Sequence, residues 1–216
     1  TDESLILYAA GYDADDNYIS AVDASWQVTG DLDAVPASGE SIEFTPSTAP
    51  TTGTITVSSA GLTGAVTGTV TVNVGVLDNV LVEDAAGGLG SAVDAVEITT
   101  DNTLTFYLVG YDQDNNYIRD INAQWSVQGS IGTVSTGTDF STSTDFIATT
   151  VGNGTVQADT SSFTDGTGVI TVTGGALSYL LIRDGSNGGG AEVGAVTLTT
   201  DESLILYAAG YDADDN

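Results

Sequence analysis

Apolar and polar residues alternate along most of this chain with a period of two. In Leu5–Tyr12, the residues Leu5, Leu7 and Ala9 share one side, and Ile6, Tyr8 and Tyr12 share the other. Leu104, Phe106 and Leu108 repeat the first side a hundred residues later. Val22, Ala24, Trp26 and Val28 alternate with Asp23, Ser25 and Gln27, and Ile121, Ala123, Trp125 and Val127 alternate with Asn122, Gln124 and Ser126. Side chains on a strand point to opposite faces in turn, so this period predicts half-buried strands. Further runs, SIEFT (41–45), GTITVSS (53–59) and GTVTVNV (68–74), are rich in Thr, Val and Ile, as strands prefer. Clusters of Gly, Asn, Asp and Ser separate them and predict turns. No stretch carries the period of an amphipathic helix.

The pattern itself repeats. TDESLILYAAGYDADDN stands at Thr1–Asn17 and again, letter for letter, at Thr200–Asn216, with a looser copy, TDNTLTFYLVGYDQDNN, at Thr100–Asn116. Likewise, Thr67–Asp84 aligns with Thr167–Asp184, and Asp94–Asp101 with Gly194–Asp201. The unit is about a hundred residues, and two unlike units, A and B, are expected to repeat as A-B-A-B in a longer polypeptide. Seven or so short strands per hundred residues, with a tryptophan on the third, predict all-β, tandem immunoglobulin-like sandwiches of about 100 residues each, with Trp26 and Trp125 between the sheets.

Asp78–Ala85 and Ser178–Gly185 read as first strands, each followed by a Gly-rich loop. The expected domains are therefore 1–75, an Ig-like domain lacking its first strand; 76–175, a complete domain; and 176–216, the first two strands of the next repeat. Two explanations fit such an arrangement. The chain is a window on a continuous array, or a subunit whose terminal segment completes its neighbour by strand donation. The identity of the two ends favours the window. Only three or four residues join successive sandwiches, which predicts a stiff string.

The stretches LILYAAGYDADDNYISAVDASWQVTG, GTITVSSAG and TGTVTVNVG resemble bacterial Ig-like domains, the tandem modules of invasin- and intimin-type surface proteins. That family carries a D-x-x-G-N turn after the second strand. Here Asp16 and Asn115 stand where the family has glycine, and both residue types tolerate a left-handed backbone. The resemblance implies spacer modules, and at times adhesive tips, of extracellular or cell-surface proteins.

Charge sharpens the picture. There are 30 acidic residues, 2 basic ones (Arg119 and Arg183) and no histidine, for a net charge of −28. That field excludes nucleic acid and anionic membrane surfaces as partners. No apolar stretch approaches the roughly 20 residues a membrane helix needs, which argues against membrane insertion. The absence of cysteine removes disulfides, thiol nucleophiles and thiolate metal sites.

Asp13, Asp15 and Asn17, and in the second copy Asp112, Asp114 and Asn116, have the D-x-D-x-N spacing of calcium loops. An EF-hand needs glycine at its sixth place and glutamate at its twelfth, but here Tyr18 and Ala24, or Tyr117 and Ala123, stand there. The competing reading, favoured here, is an Asx-rich turn, with calcium as the only cofactor candidate. GSNGGGAE (185–192) lacks a phosphate-binding lysine and a following helix, so it reads as a loop. Asn153-Gly154-Thr155 is a single glycosylation pattern, and the Thr-rich strands leave glycans as a further candidate partner.

Without His, Cys or Lys, only a carboxylate pair could catalyse, and no two acids stand out, so no enzyme is expected. The expected function is structural: tandem Ig-like repeats forming an extracellular filament or cell-surface stalk, whose partners are neighbouring repeats or identical chains. The alternative is an adhesin segment binding a carbohydrate or receptor. An accessory domain of a polysaccharide-degrading enzyme ranks third.

Overall fold

The computed structural model describes every residue, Thr1–Asn216. It is all-β, built of short strands and turns, with no helix. Two compact units divide the chain. The first is Thr1–Val80 with Val109–Arg119, and the second is Leu81–Leu108 with Asp120–Asn216. This division differs from the sequence repeats, because the turn after the strand Thr103–Tyr111 packs into the first unit.

In the first unit, Ser38–Gly39, Ala24–Val28, Ile55–Ser58 and Ala65–Val66 form an antiparallel four-stranded sheet in that order. Three two-stranded pieces accompany it. Leu5–Tyr8 pairs with Ser41–Phe44, Ala10–Tyr12 with Tyr18–Ala21, and Thr51–Gly53 with Val70–Val72. The expected alternation holds on Ala24–Val28, where Ala24 and Trp26 are buried and Ser25 and Gln27 are exposed. Ala9, Ala24, Trp26, Leu32, Ile42, Phe44, Ile55 and Val72 form one apolar core.

The run Leu5–Tyr12, read from sequence as one strand, is two. It changes partner at Ala9, whose N–H donates to the Glu40 carbonyl at 2.9 Å and whose carbonyl accepts from Val22 N–H at 3.0 Å. Its counterpart Thr103–Tyr111 is continuous. The physical difference is a neighbour: Asn79–Glu83 lies along Thr103–Tyr111, whereas no strand lies along that edge of Leu5–Tyr12.

Two larger sheets complete the fold. One has the order Asn79–Glu83, Thr103–Tyr111, Ser143–Ala148, Gly132–Val134, with Tyr117–Asp120 also on Thr103–Tyr111. The other has the order Val96–Thr99, Ile170–Thr173, Gly152–Asp159, Ala123–Gln128, Phe140–Ser141, with Thr164–Gly166 beside Gly152–Asp159. Val96–Thr99 runs parallel to Ile170–Thr173, a direction that alternation alone does not specify.

Each sheet buries one face. Phe106, Leu108, Phe146 and Ala148 are buried on the first, and Ala123, Trp125, Val156, Ala158, Ile170 and Val172 on the second. Thr167 Oγ1 accepts from Val156 N–H at 3.0 Å, as Thr67 Oγ1 does from Ile55 N–H at 2.9 Å. In both copies a threonine hydroxyl takes the place of a ladder carbonyl, which explains the repeated Thr-Gly before the last strand. Tyr179–Arg183 and Tyr207–Tyr211 form a separate antiparallel pair.

Both tryptophans are core residues, and neither indole N–H is orphaned. Trp26 donates to the Gly39 carbonyl at 2.9 Å and Trp125 to the Ser141 carbonyl at 3.0 Å. Trp125→Ala is expected to destabilise the second unit by about 3–5 kcal/mol, the usual cost of emptying a buried aromatic site. Urea unfolding followed by far-ultraviolet circular dichroism measures it. A loss below about 1 kcal/mol would remove Trp125 from the core.

Candidate functional site in the acidic turn

The D-x-D-[DN]-N stretch folds the same way three times. Asp13 Oδ1 accepts the N–H groups of Asp15 and Asn17, both at 2.9 Å. Asp112 Oδ1 accepts from Asp114 at 3.0 Å and Asn116 at 2.8 Å. Asp212 Oδ1 accepts from Asp214 at 3.0 Å and Asn216 at 2.8 Å. An aspartate that binds the backbone two and four residues on closes an Asx turn. The fourth residue takes the left-handed conformation, with φ of 63° at Asp16, 63° at Asn115 and 67° at Asp215. Asp and Asn, which tolerate this conformation, thus complete the turn.

Beyond the turn itself, two of the copies are docked and one is not. In the first unit, Asp112 Oδ2 accepts the Thr1 hydroxyl at 2.8 Å and Gly75 N–H at 2.9 Å. Asn116 adds two bonds: its Oδ1 accepts Ala49 N–H at 2.9 Å, and its Nδ2 donates to the Ser47 carbonyl at 2.9 Å. In the second unit, Asp212 Oδ2 accepts the Thr100 hydroxyl at 2.7 Å and Gly175 N–H at 2.9 Å. There Asn216 Oδ1 accepts Val151 N–H at 3.3 Å, and its Nδ2 donates to the Thr149 carbonyl at 3.0 Å. Asp112 and Asp212 are buried, whereas Asp13 is exposed and bonds only within its own turn.

A second aspartate braces each socket. Asp2 Oδ2 accepts Val76 N–H at 2.9 Å, and Asp101 Oδ2 accepts Ala176 N–H at 2.8 Å. A Cβ on Gly75 or Gly175 would collide with the Asp2 or Asp101 carboxylate, so glycine is what permits this approach.

The electrostatics follow from the donor count. Burial alone would raise the Asp112 carboxyl, but the N–H groups of Gly75 and Asn116, the Asn116 amide and the Thr1 hydroxyl together hold it well below the usual carboxylate range. For Asp212, the Thr100 hydroxyl is the largest influence. Burial opposes it, and Gly175 and Asn216 reinforce it, with the same net direction. Asp13 is lowered chiefly by Asn17 N–H. Neutral donors thus stabilise these buried charges without any lysine or arginine.

The six calcium candidates lie on two of these turns. Asp13 and Asn17, and Asp112 and Asn116, come together through hydrogen bonds, while Asp15 and Asp114 lie on the exposed outer side. No three acidic side chains gather where they could hold a metal ion. The Asp112 oxygens are already met by N–H and O–H groups, which makes the turn a lock between segments. Asn153 lies in the strand Gly152–Asp159, where its Oδ1 accepts the Thr171 hydroxyl at 2.9 Å. Sequence reasoning missed Thr1, Asp2 and Gly75 and their counterparts Thr100, Asp101 and Gly175. Their signal was present: Thr-Asp and Gly recur at the same spacing as the turns.

No family model matches the chain, and no curated protein matches it. Among solved structures, it is similar to domains 4–9 of the surface layer protein SbsC, at 17% identity and a TM-score of 0.33, over 100% of this chain and 32% of that one. It is also similar to domains 4 and 5 of the same protein, at 16% identity and a TM-score of 0.30, over 80% of this chain and 98% of that one. The chain thus spans about a third of the first of these.

Asp112→Ala leaves several donors without an acceptor and is expected to loosen the first unit by about 2–3 kcal/mol, measured by urea denaturation. The depressed Asp112 carboxyl makes its contribution fully present above the unfolded value near pH 4 and progressively lost as pH falls below it. Lowering pH from 7 to about 4 also relieves self-repulsion, so a difference in stability between wild type and Asp112→Ala isolates the turn. A difference that stays constant from pH 6 to about pH 2 would contradict this assignment.

Proposed function

We propose that this chain is part of a tandem Ig-like repeat protein that forms an extracellular filament or cell-surface stalk. The observation that carries the reading is the recurrence of one carboxylate-centred lock, at Asp112 and again at Asp212, a hundred residues later. With repeats at 1–75, 76–175 and 176–216, each lock sits where one repeat meets the next. It clasps the acidic turn of the later repeat to the Thr-Asp pair and the last-strand glycine of the earlier one.

Other features support this reading. Two sheets that each bury one face around a tryptophan are what an Ig-like sandwich needs. A junction fixed by five hydrogen bonds resists hinging, which suits a spacer better than a flexible linker does. The charge of −28 keeps such strings apart until salt or cations screen it. The adhesin alternative predicts a recognition loop that differs between repeats, whereas the feature shared between repeats here is the lock.

Electron microscopy of the native material tests the proposal. The expected image is a continuous thread whose axial period is one or two repeats. Isolated globular particles, or binding of the intact chain to a glycan array that is lost on changing one loop, would favour the adhesin. Calcium is tested separately by titrating it into the chain and following melting temperature. A rise that disappears in Asp13→Asn with Asp15→Asn would assign a cation to the exposed turn, and no change would leave the turns as hydrogen-bonded locks alone.

A further inference from the structure

Repeats 1–75 and 76–175 build one sheet on the same register and dress its outer face differently. In the first, Ser38–Gly39, Ala24–Val28 and Ile55–Ser58 lie side by side, with Ser38 opposite Ser25 and Ser25 opposite Ser58. In the second, Phe140–Ser141, Ala123–Gln128 and Gly152–Asp159 lie side by side, with Phe140 opposite Gln124 and Gln124 opposite Asp159. Trp26 and Trp125 follow Ser25 and Gln124 and are buried, so both rows lie on the outward side. Equivalent places thus hold Ser38, Ser25 and Ser58 in one repeat and Phe140, Gln124 and Asp159 in the other.

The rows differ in size and in chemistry. Three serines leave the first row low and lined with hydroxyls, and the next pair along, Gln27 opposite Thr56, is also uncharged. In the second row Phe140 is 64% exposed. Asp159, at the other end, is held in place: its carboxylate accepts the Gln157 amide at 2.9 Å and the Thr164 hydroxyl at 2.7 Å. This outer face is open in the complete repeat, 76–175, where Phe140, Gln124 and Gln128 are exposed.

Charge selects the partner. With 30 acids against 2 bases, two copies of the chain repel each other across most of their surfaces. On the serine row, a carboxylate arriving from another copy meets hydroxyl donors and no like charge. The core of a protein–protein interface is depleted in charge and enriched in aromatic side chains, and the two rows together supply that combination.

We propose that two copies of this chain associate laterally, the Phe140–Gln124–Asp159 row of one seated on the Ser38–Ser25–Ser58 row of the other. Phe140 leaves water over small side chains, and Asp159 accepts serine hydroxyls. Like rows fit worse. Two Phe140 rows bring two Asp159 carboxylates into one interface, and two serine rows bury no large apolar side chain. The presence of two unlike repeats then has a physical reason, since each kind is the complement of the other. Each copy carries one row of each kind, so the association is heterologous and propagates. The inference rests on the tandem-repeat reading above and adds to it the face by which strings meet.

Sedimentation velocity of the full chain, from about 1 to about 100 µM in about 0.15 M and about 1 M salt, tests it. The expected result is a series of oligomers that grows with concentration and with salt. Phe140→Ser and Ser25→Glu each alter one row and are expected to weaken association at least about tenfold. An equimolar mixture of the two variants retains one intact row of each kind. It should recover a one-to-one pair of wild-type affinity that grows no further, and unchanged circular dichroism shows that both variants are folded. A wild-type chain that stays monomeric, a folded variant that associates like wild type, or a mixture without recovery would each overturn the docking. A monomeric chain that binds dextran through Phe140 would overturn it as well, by assigning that row to a neutral sugar. Single threads without lateral pairing in electron micrographs would remove this contact and leave the filament reading in place.

Discussion

A buried carboxylate with no cation beside it is the constraint on which the rest of this molecule depends. Removing Asp112 or Asp212 from water costs several kcal/mol unless the charge is met by donors. The fold meets it with backbone N–H groups two and four residues on, an Asn amide, a threonine hydroxyl and a glycine N–H. Those donors come from three separated stretches of chain. The charge is therefore stable only when all three are in place, and the turn acts as an all-or-none lock. This also explains how a chain with 30 acids and 2 bases builds specific polar contacts. It uses oriented dipoles where other proteins use ion pairs.

Apolar burial sets the second constraint. The two larger sheets each bury a row of apolar side chains, Phe106, Leu108 and Phe146 on one and Trp125, Val156 and Ile170 on the other. In the first unit the row is shorter, and two strand edges are bare. At Tyr179–Arg183 the row is exposed altogether, apart from what the paired strand covers.

Much of the strand pattern was legible because alternation has a direct physical cause, the opposite facing of successive side chains. Trp26 and Trp125 were legible for the same reason, each on the inward side of a clear alternating run. The left-handed residue at Asp16 and Asn115 was legible because few residue types accept that conformation. The break in Leu5–Tyr12 was not, since it reflects the lack of a neighbouring strand. Nor was the parallel pairing of Val96–Thr99, whose alternation is the same in either direction. The metal-like spacing of Asp13, Asp15 and Asn17 specifies only that oxygens are close in sequence, and the backbone N–H groups that meet them leave no trace in residue identity.

What the sequence by itself determined is local and periodic: strands from alternation, turns from Asx and Gly, and a repeat of about a hundred residues from self-similarity. Only the tertiary structure decided what the acidic turns do. Thr1, Gly75 and Asp112 are far apart along the chain and individually ordinary, and nothing in any one of them announces a partner. Their roles arise when folding brings hydroxyl, amide and carboxylate within 3 Å, because hydrogen bonds act at that range and sequence separation does not enter.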